Sequence, residues 1–141
     1  VTNEMHLYSL LCLLDTAKTA YATYPKAVKE EFRNRLLNLC PTASKLIVPK
    51  LSALLADVII RDFPDDWPAA SLLKTATLML QSSATTSGLL LMSLTQLVED
   101  CTDSDYNSSV STTRRNAVLQ GLNDVREPLT KVLYEFMQYW Y

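Results

Sequence analysis

Glycine is almost missing, with two in 141 residues, and histidine occurs once. Two glycines cannot build a Gly-rich loop around a phosphate. His6, near the N-terminus, has no second histidine for a helical metal pair and only the lone Cys12 nearby, too little for a Cys/His metal set. A Ser or Cys triad would have to use His6 from the first turn of a helix, where ends fray. The paired acids Asp65-Asp66 and Glu99-Asp100 are adjacent in sequence. Neighbours on a helix diverge, so they are read as capping and solvating groups and not as convergent acid–base pairs. No catalysis and no cofactor are expected.

Other scarcities narrow the class further. Three cysteines, Cys12, Cys40 and Cys101, stand far apart with no CxxC spacing, which fits reduced thiols in a cytosolic or nuclear compartment. The longest apolar runs, 10–14 and 89–92, fall well short of the ~20 residues of a membrane span. The run 7–14 follows Glu4 and no basic cluster, unlike a signal-peptide core. No membrane insertion is expected. A net charge of −2 lends no support to direct DNA binding.

What the chain does have is helical periodicity: it is 48% hydrophobic and 20% charged, a globular composition. Apolar residues recur every three or four positions, and no strand-like alternation is found. The expected helices cover 2–24, capped by Thr2 or Asn3; 26–39, with Val28, Phe32, Leu36 and Leu39 inward; and 48–62, with Leu51, Leu54, Leu55, Val58 and Ile59 inward. Then come 69–81, with Leu72, Leu73, Ala76 and Leu80 inward; 87–101, apolar nearly all round and so expected to be covered on several sides; and 113–139. Residues 82–87 read as a polar linker and 102–113 as an exposed loop. Pro128 predicts a break near Glu127 in the last helix.

About six helices joined by short connections suggest an all-α fold of antiparallel pairs. The middles of segments 48–62 and 87–101 lie about 40 residues apart, each preceded by a shorter helix, which matches the period of HEAT-type arrays. A HEAT-type α-solenoid is therefore expected in preference to a closed bundle. Residues 1–141 read as one segment of about three repeats, open at both ends. The aromatic finish Phe136, Tyr139, Trp140 and Tyr141 suits packing on a further helix pair, with base stacking as the other option. A beginning at Val1 and an end inside a helical pattern are expected of a fragment of a longer superhelix.

Charge is unevenly spread. No Lys or Arg occurs between Lys74 and Arg114, whereas Glu99, Asp100, Asp103 and Asp105 do. That acidic stretch is either a solvated loop or a contact for a basic partner. Arg114-Arg115 begins a helix, the wrong end for the macrodipole. It is either an ordinary exposed pair or one that meets the acids of the preceding loop or of a partner. In a solenoid, equivalent faces of successive repeats line up into one surface. Its candidate contact residues are Lys50, Asp57 and Arg61 beside Ala53 on one helix, and Gln96, Asp100 and Asp103 beside Ser93 on the next, with Arg114 and Arg115; a plain solvated face is the alternative.

The corner at 61–68, Arg-Asp-Phe-Pro-Asp-Asp-Trp-Pro, organises the rest. Pro64 and Pro68 disfavour helix in Phe63 and Trp67, so one helix stops and another starts, with Phe63 and Trp67 as plugs. This wording resembles the Arg-Glu-Trp-Pro-x-x-Trp-Pro corner of the exportins and importin-β-like karyopherins. Segment 89–100, ending Leu-Thr-Gln-Leu-Val-Glu-Asp, is similar to that family's next inner helix. The polar loop leading into Arg114-Arg115 looks most like the exportin branch carrying microRNA precursors, with the branch recognising leucine-rich export signals second. The resemblance covers about 51–138. It implies a HEAT-repeat nuclear transport receptor that binds Ran in its GTP form, protein or structured-RNA cargo and nucleoporins, and shuttles between nucleus and cytoplasm. An importin-type receptor, or an α-solenoid scaffold unrelated to transport, are the alternatives.

Overall fold

The structure, a computed structural model, describes Met5, Tyr8, Ser9, Cys12, residues 23–102 and residues 111–139, with residue 140 as backbone only. The expected first helix thus falls almost wholly outside the described residues, as do His6, Asp103, Asp105 and the side chains of Trp140 and Tyr141. Among the described residues are six α-helices and no strand: α1 (Lys26–Leu39), α2 (Val48–Asp62), α3 (Ala69–Ser82), α4 (Ala84–Thr102), α5 (Thr112–Asp124) and α6 (Arg126–Trp140), with a 3₁₀ turn at Cys40–Thr42 after α1. The chain is an all-α stack of helix pairs, consistent with a HEAT-like solenoid.

Prolines set most of the boundaries, because each lacks the N–H that a helix interior needs. Pro25 precedes α1, and its carbonyl accepts from Val28 and Lys29 at 3.0 and 3.2 Å. Pro49 sits in the first turn of α2, where its missing N–H has no ladder partner to lose. Pro68 caps α3 from outside. The α5–α6 break falls at Val125, earlier than the expected Glu127. The reason is geometric: the Pro128 ring collides with the carbonyl four residues back, and that carbonyl belongs to Asp124, the last residue of α5.

The expected linker at 82–87 is a correction of the same local kind. Only Ser83 interrupts the helices; α4 begins at Ala84. Ser83 is extended, and its Oγ accepts the Thr86 amide at 3.1 Å and donates to Thr86 Oγ1 at 3.0 Å. This is an N-cap. It turns Thr86 and Ser87 into buried residues of the helix.

The centre of the stack is α2, packed against α1, α4 and α5. Beyond its expected stripe it also buries Ser52, Ala56, Ile60 and Asp62. As expected, α4 is covered on several sides, by α2, α3 and α5, although Met92 and Val98 stay 43% and 46% exposed. In α3, Leu72, Ala76, Met79 and Leu80 are buried, and α6 lies against α3. The largest miss is in α1. Val28 is 46% exposed, while Lys29 and Arg33 are buried beside Leu36 and Leu39. An apolar residue lost the interior to two cations, and their partners lie in the corner.

Candidate functional site

The corner between α2 and α3 is built from its prolines outward. Phe63 leaves the helix in an extended conformation (φ −80°, ψ 139°) while its N–H still reaches the Ile59 carbonyl at 2.8 Å. The amides of Asp66 and Trp67 then return to the Asp62 carbonyl at 2.8 and 3.1 Å, closing the turn, in which the Phe63–Pro64 peptide is cis. Phe63 is fully buried and Trp67 4% exposed, so both aromatics are plugs in the packed interior.

Around the plugs runs an ordered set of charges. Lys29 and Arg33 stand one turn apart on α1; Asp62 and Asp66 stand four apart across the corner. The Arg33 guanidinium binds the wholly buried Asp62 carboxylate at 2.8 Å and lies 5.0 Å above the Trp67 ring. Lys29 meets Asp66 at 2.6 Å. The pairs run in opposite chain directions, which makes α1 and α2 antiparallel. The Lys29 hydrogen bond holds the Asp66 carboxyl below its ordinary range, against the opposing pull of burial. Removing one partner of a buried pair such as Arg33–Asp62 leaves an uncompensated charge, at a cost of about 3–5 kcal/mol.

A second clasp comes from α5. Arg114 Nε donates to the Ile60 carbonyl at 3.1 Å, and its other guanidinium nitrogens reach the Phe63 carbonyl and the Asp65 carboxylate. In an unbroken helix the Ile60 carbonyl would accept from residue 64, and residue 64 is a proline with no N–H. Arg114 supplies the missing donor from 54 residues away. Two turns along α5, Gly121 faces the Phe63 ring so closely that a Cβ there would stand 2.5 Å from Phe63 Cε1. One helix therefore grips residue 63 twice, at its carbonyl and at its ring.

The residues expected to form a partner face are dispersed among these elements. Lys50 and Ala53 are exposed on α2. Arg61 pairs with Asp57 along the same helix at 3.4 Å, with both side chains largely covered. Gln96 donates to Asp100 at 2.7 Å on α4, but Ser93 is fully buried and bonded to the Leu89 carbonyl. Asp103 lies outside the described residues. Arg115 donates to Thr112 Oγ1 at 3.1 Å. The acid that Arg114 meets is Asp65 of the corner, where an acid of the preceding loop or of a partner was expected. Lys29, Arg33 and Asp62 were missed altogether. Their signal was present in the matched four-residue spacings of cations on one helix and acids on the next.

Two clefts open between α1 and α3 and share Leu37 and Thr75. One, of about 290 Å³, is polar and lined by Lys26, Glu30, Arg33 and Asp66; the other, of about 250 Å³, is walled by Pro41, Leu78 and Met79. Cations and acids balance in the first, so it has no preferred sign of ligand charge. Burial pushes the Cys40 and Cys101 thiols up to about 11, leaving them protonated and unreactive at neutral pH. Among the described residues no group of three or more His, Cys, Asp or Glu side chains is placed to hold a metal ion. No described helix is long and apolar enough to cross a membrane.

Paired helices stacked through long neighbours, with charge used to lock corners, define a helical-repeat protein. The sequence model for exportin 1-like proteins matches residues 44–141, more than two thirds of the chain. The chain belongs to this exportin-like family of transport receptors. No curated protein and no solved structure matches it.

Proposed function

We propose that this chain is part of a nuclear export receptor that binds Ran in its GTP form together with cargo, contacts nucleoporins and shuttles between nucleus and cytoplasm. The family match across residues 44–141 carries the reading. The receptor works by binding alone, without catalysis. Residues 1–141 serve as one run of about three repeats within a longer superhelix. Ran and cargo are coupled because both favour one curvature of the solenoid, a linkage of about 1–3 kcal/mol in such systems. Cargo is protein or structured RNA, with hairpin RNA favoured by the likeness of the loop leading into Arg114-Arg115.

The proposed contact face comprises Lys50, Asp57 and Arg61 on α2, Gln96, Asp100 and Asp103 at α4 and beyond, and Arg115. Of those described, Lys50 is the exposed one, and Arg114 holds the corner. A pull-down of the full-length protein with Ran tests the reading. GTP-dependent capture, strengthened by a hairpin RNA or a leucine-rich peptide, is expected. Equal failure with GTP and GDP forms, with and without either cargo, overturns it. Lys50→Glu is expected to weaken capture while leaving the melting temperature unchanged.

A further inference from the structure

The two clefts between α1 and α3 form one groove with unlike ends. In the polar cleft the lining steps from Lys26 to Leu37 along α1 and from Pro68 to Thr75 along α3; in the apolar cleft it steps on to Pro41 and to Met79. The two helices therefore run side by side in the same direction, polar at their N-terminal ends and apolar at their C-terminal ends. α1 packs on α2, and α3 on α4 and α6, while α1 and α3 approach each other only sparsely, which leaves the groove open. Its polar end has one wall of donors and one of acceptors. Arg33 is 6% exposed, stands on Trp67, and has its Nη1 engaged by Asp62. No side chain caps α3 at Pro68, so the positive end of that helix opens beside Arg33. Opposite them, Glu30 is exposed and forms no ion pair with a described residue, and Asp66 shares its carboxylate with Lys29.

We infer that this groove is a binding site for an α-amino acid with an aliphatic side chain, its two charges in the polar end and its side chain in the apolar end. A ligand of one charge is repelled by half of the polar lining, whereas a zwitterion satisfies both halves. Its carboxylate meets Arg33 and the first turn of α3, a charge-assisted contact. Its ammonium meets Glu30 and Asp66. The side chain then passes Leu37 and Thr75, which belong to both clefts, and leaves water among the apolar walls. A cleft of about 290 Å³ running into one of about 250 Å³ holds a molecule of this size. A few convergent polar groups beside an apolar wall are the usual make-up of a small-molecule site. The inference stands on the groove alone and holds whether or not the chain binds Ran or cargo.

Titration calorimetry of the full-length protein tests it, with L-leucine as the first probe and neither Ran nor cargo present. A dissociation constant on the order of 0.1–1 mM is expected for so small a ligand. Four further probes each lack one feature: L-serine the apolar side chain, isoamylamine the carboxylate, 4-methylpentanoate the ammonium, and N-acetyl-L-leucinamide both charges. Each is expected to bind at least about tenfold more weakly than L-leucine. Glu30→Lys reverses the charge of an exposed acid and should weaken L-leucine at least about tenfold with an unchanged melting temperature. Thr75→Asp places a carboxylate where the side chain passes and should weaken it by a similar factor. No heat with about 10 mM L-leucine overturns the site, and binding that both substitutions leave unchanged places the ligand elsewhere and overturns it too. Equal binding of N-acetyl-L-leucinamide overturns the zwitterion. If either variant fails to fold, the five-probe series decides alone.

Discussion

The corner at 61–68 and the junction at Val125 are both breaks made by proline, and they have opposite fates. At the corner, Pro64 takes a donor from the Ile60 carbonyl and Arg114 replaces it. The turn is plugged by Phe63 and Trp67, and its three acids Asp62, Asp65 and Asp66 are each paired with a cation. At Val125, Pro128 also removes a donor, but Pro128 itself is exposed and α6 beyond it is only half covered. Proline decides where a helix ends. What surrounds the broken end decides which groups replace the lost donor.

This contrast sets the order of mutational effects. Asp62→Ala strips the carboxylate from a buried Arg33 and is expected to destabilise the fold by about 3–5 kcal/mol. Trp67→Ala empties the plug and removes the surface beneath Arg33, with a similar loss of about 3–5 kcal/mol. Denaturant unfolding of each variant checks both, and a loss below about 1 kcal/mol for Trp67→Ala would show that the ring is not packed. Gly121→Ala forces a methyl against Phe63, with an expected cost of about 1–3 kcal/mol. Adding Phe63→Leu should recover part of that cost if the clash with the ring is its cause.

Acid should loosen the corner. The Asp66 carboxyl is held low by Lys29, so its contribution is present above the unfolded carboxylate range. It is lost as pH falls through the lower folded value, because the unfolded chain then binds the proton first. Melting temperature followed down through the acidic range should fall less steeply in Asp66→Asn than in the parent. The smallest effect belongs to the junction. Pro128→Ala is expected to change global stability by less than about 1 kcal/mol, and a loss of several would mean that α6 is as firmly held as the corner.

Much of the fold was legible in the sequence because its cues are local. Pro25, Pro49, Pro64 and Pro68 mark helix limits within a residue or two, and the stripe of α2 follows from spacing alone, as does that of α3 except that Met79 is buried where Leu73 was expected. Of the candidate surface, Lys50 is exposed. Arg114 could be read only as an unusual cation at a helix start, since its acceptors lie 49 to 54 residues upstream. Ser93 looked like part of a polar face because periodicity does not reveal that its hydroxyl can turn back to the Leu89 carbonyl and be buried.

The sequence by itself determined that this chain is helical, that it breaks at its prolines, that it has two glycines, one histidine and no CxxC pair, and that its corner has the wording of a transport-receptor family. Those properties depend on residue type and on neighbours within a turn or two. Only the tertiary structure decided that Lys29 and Arg33 face inward while Val28 faces out, and that the break at Pro64 is clasped by Arg114 from α5. A charge can be buried only where an opposite charge is brought to meet it, and that meeting is arranged by parts of the chain 29 and 37 residues apart.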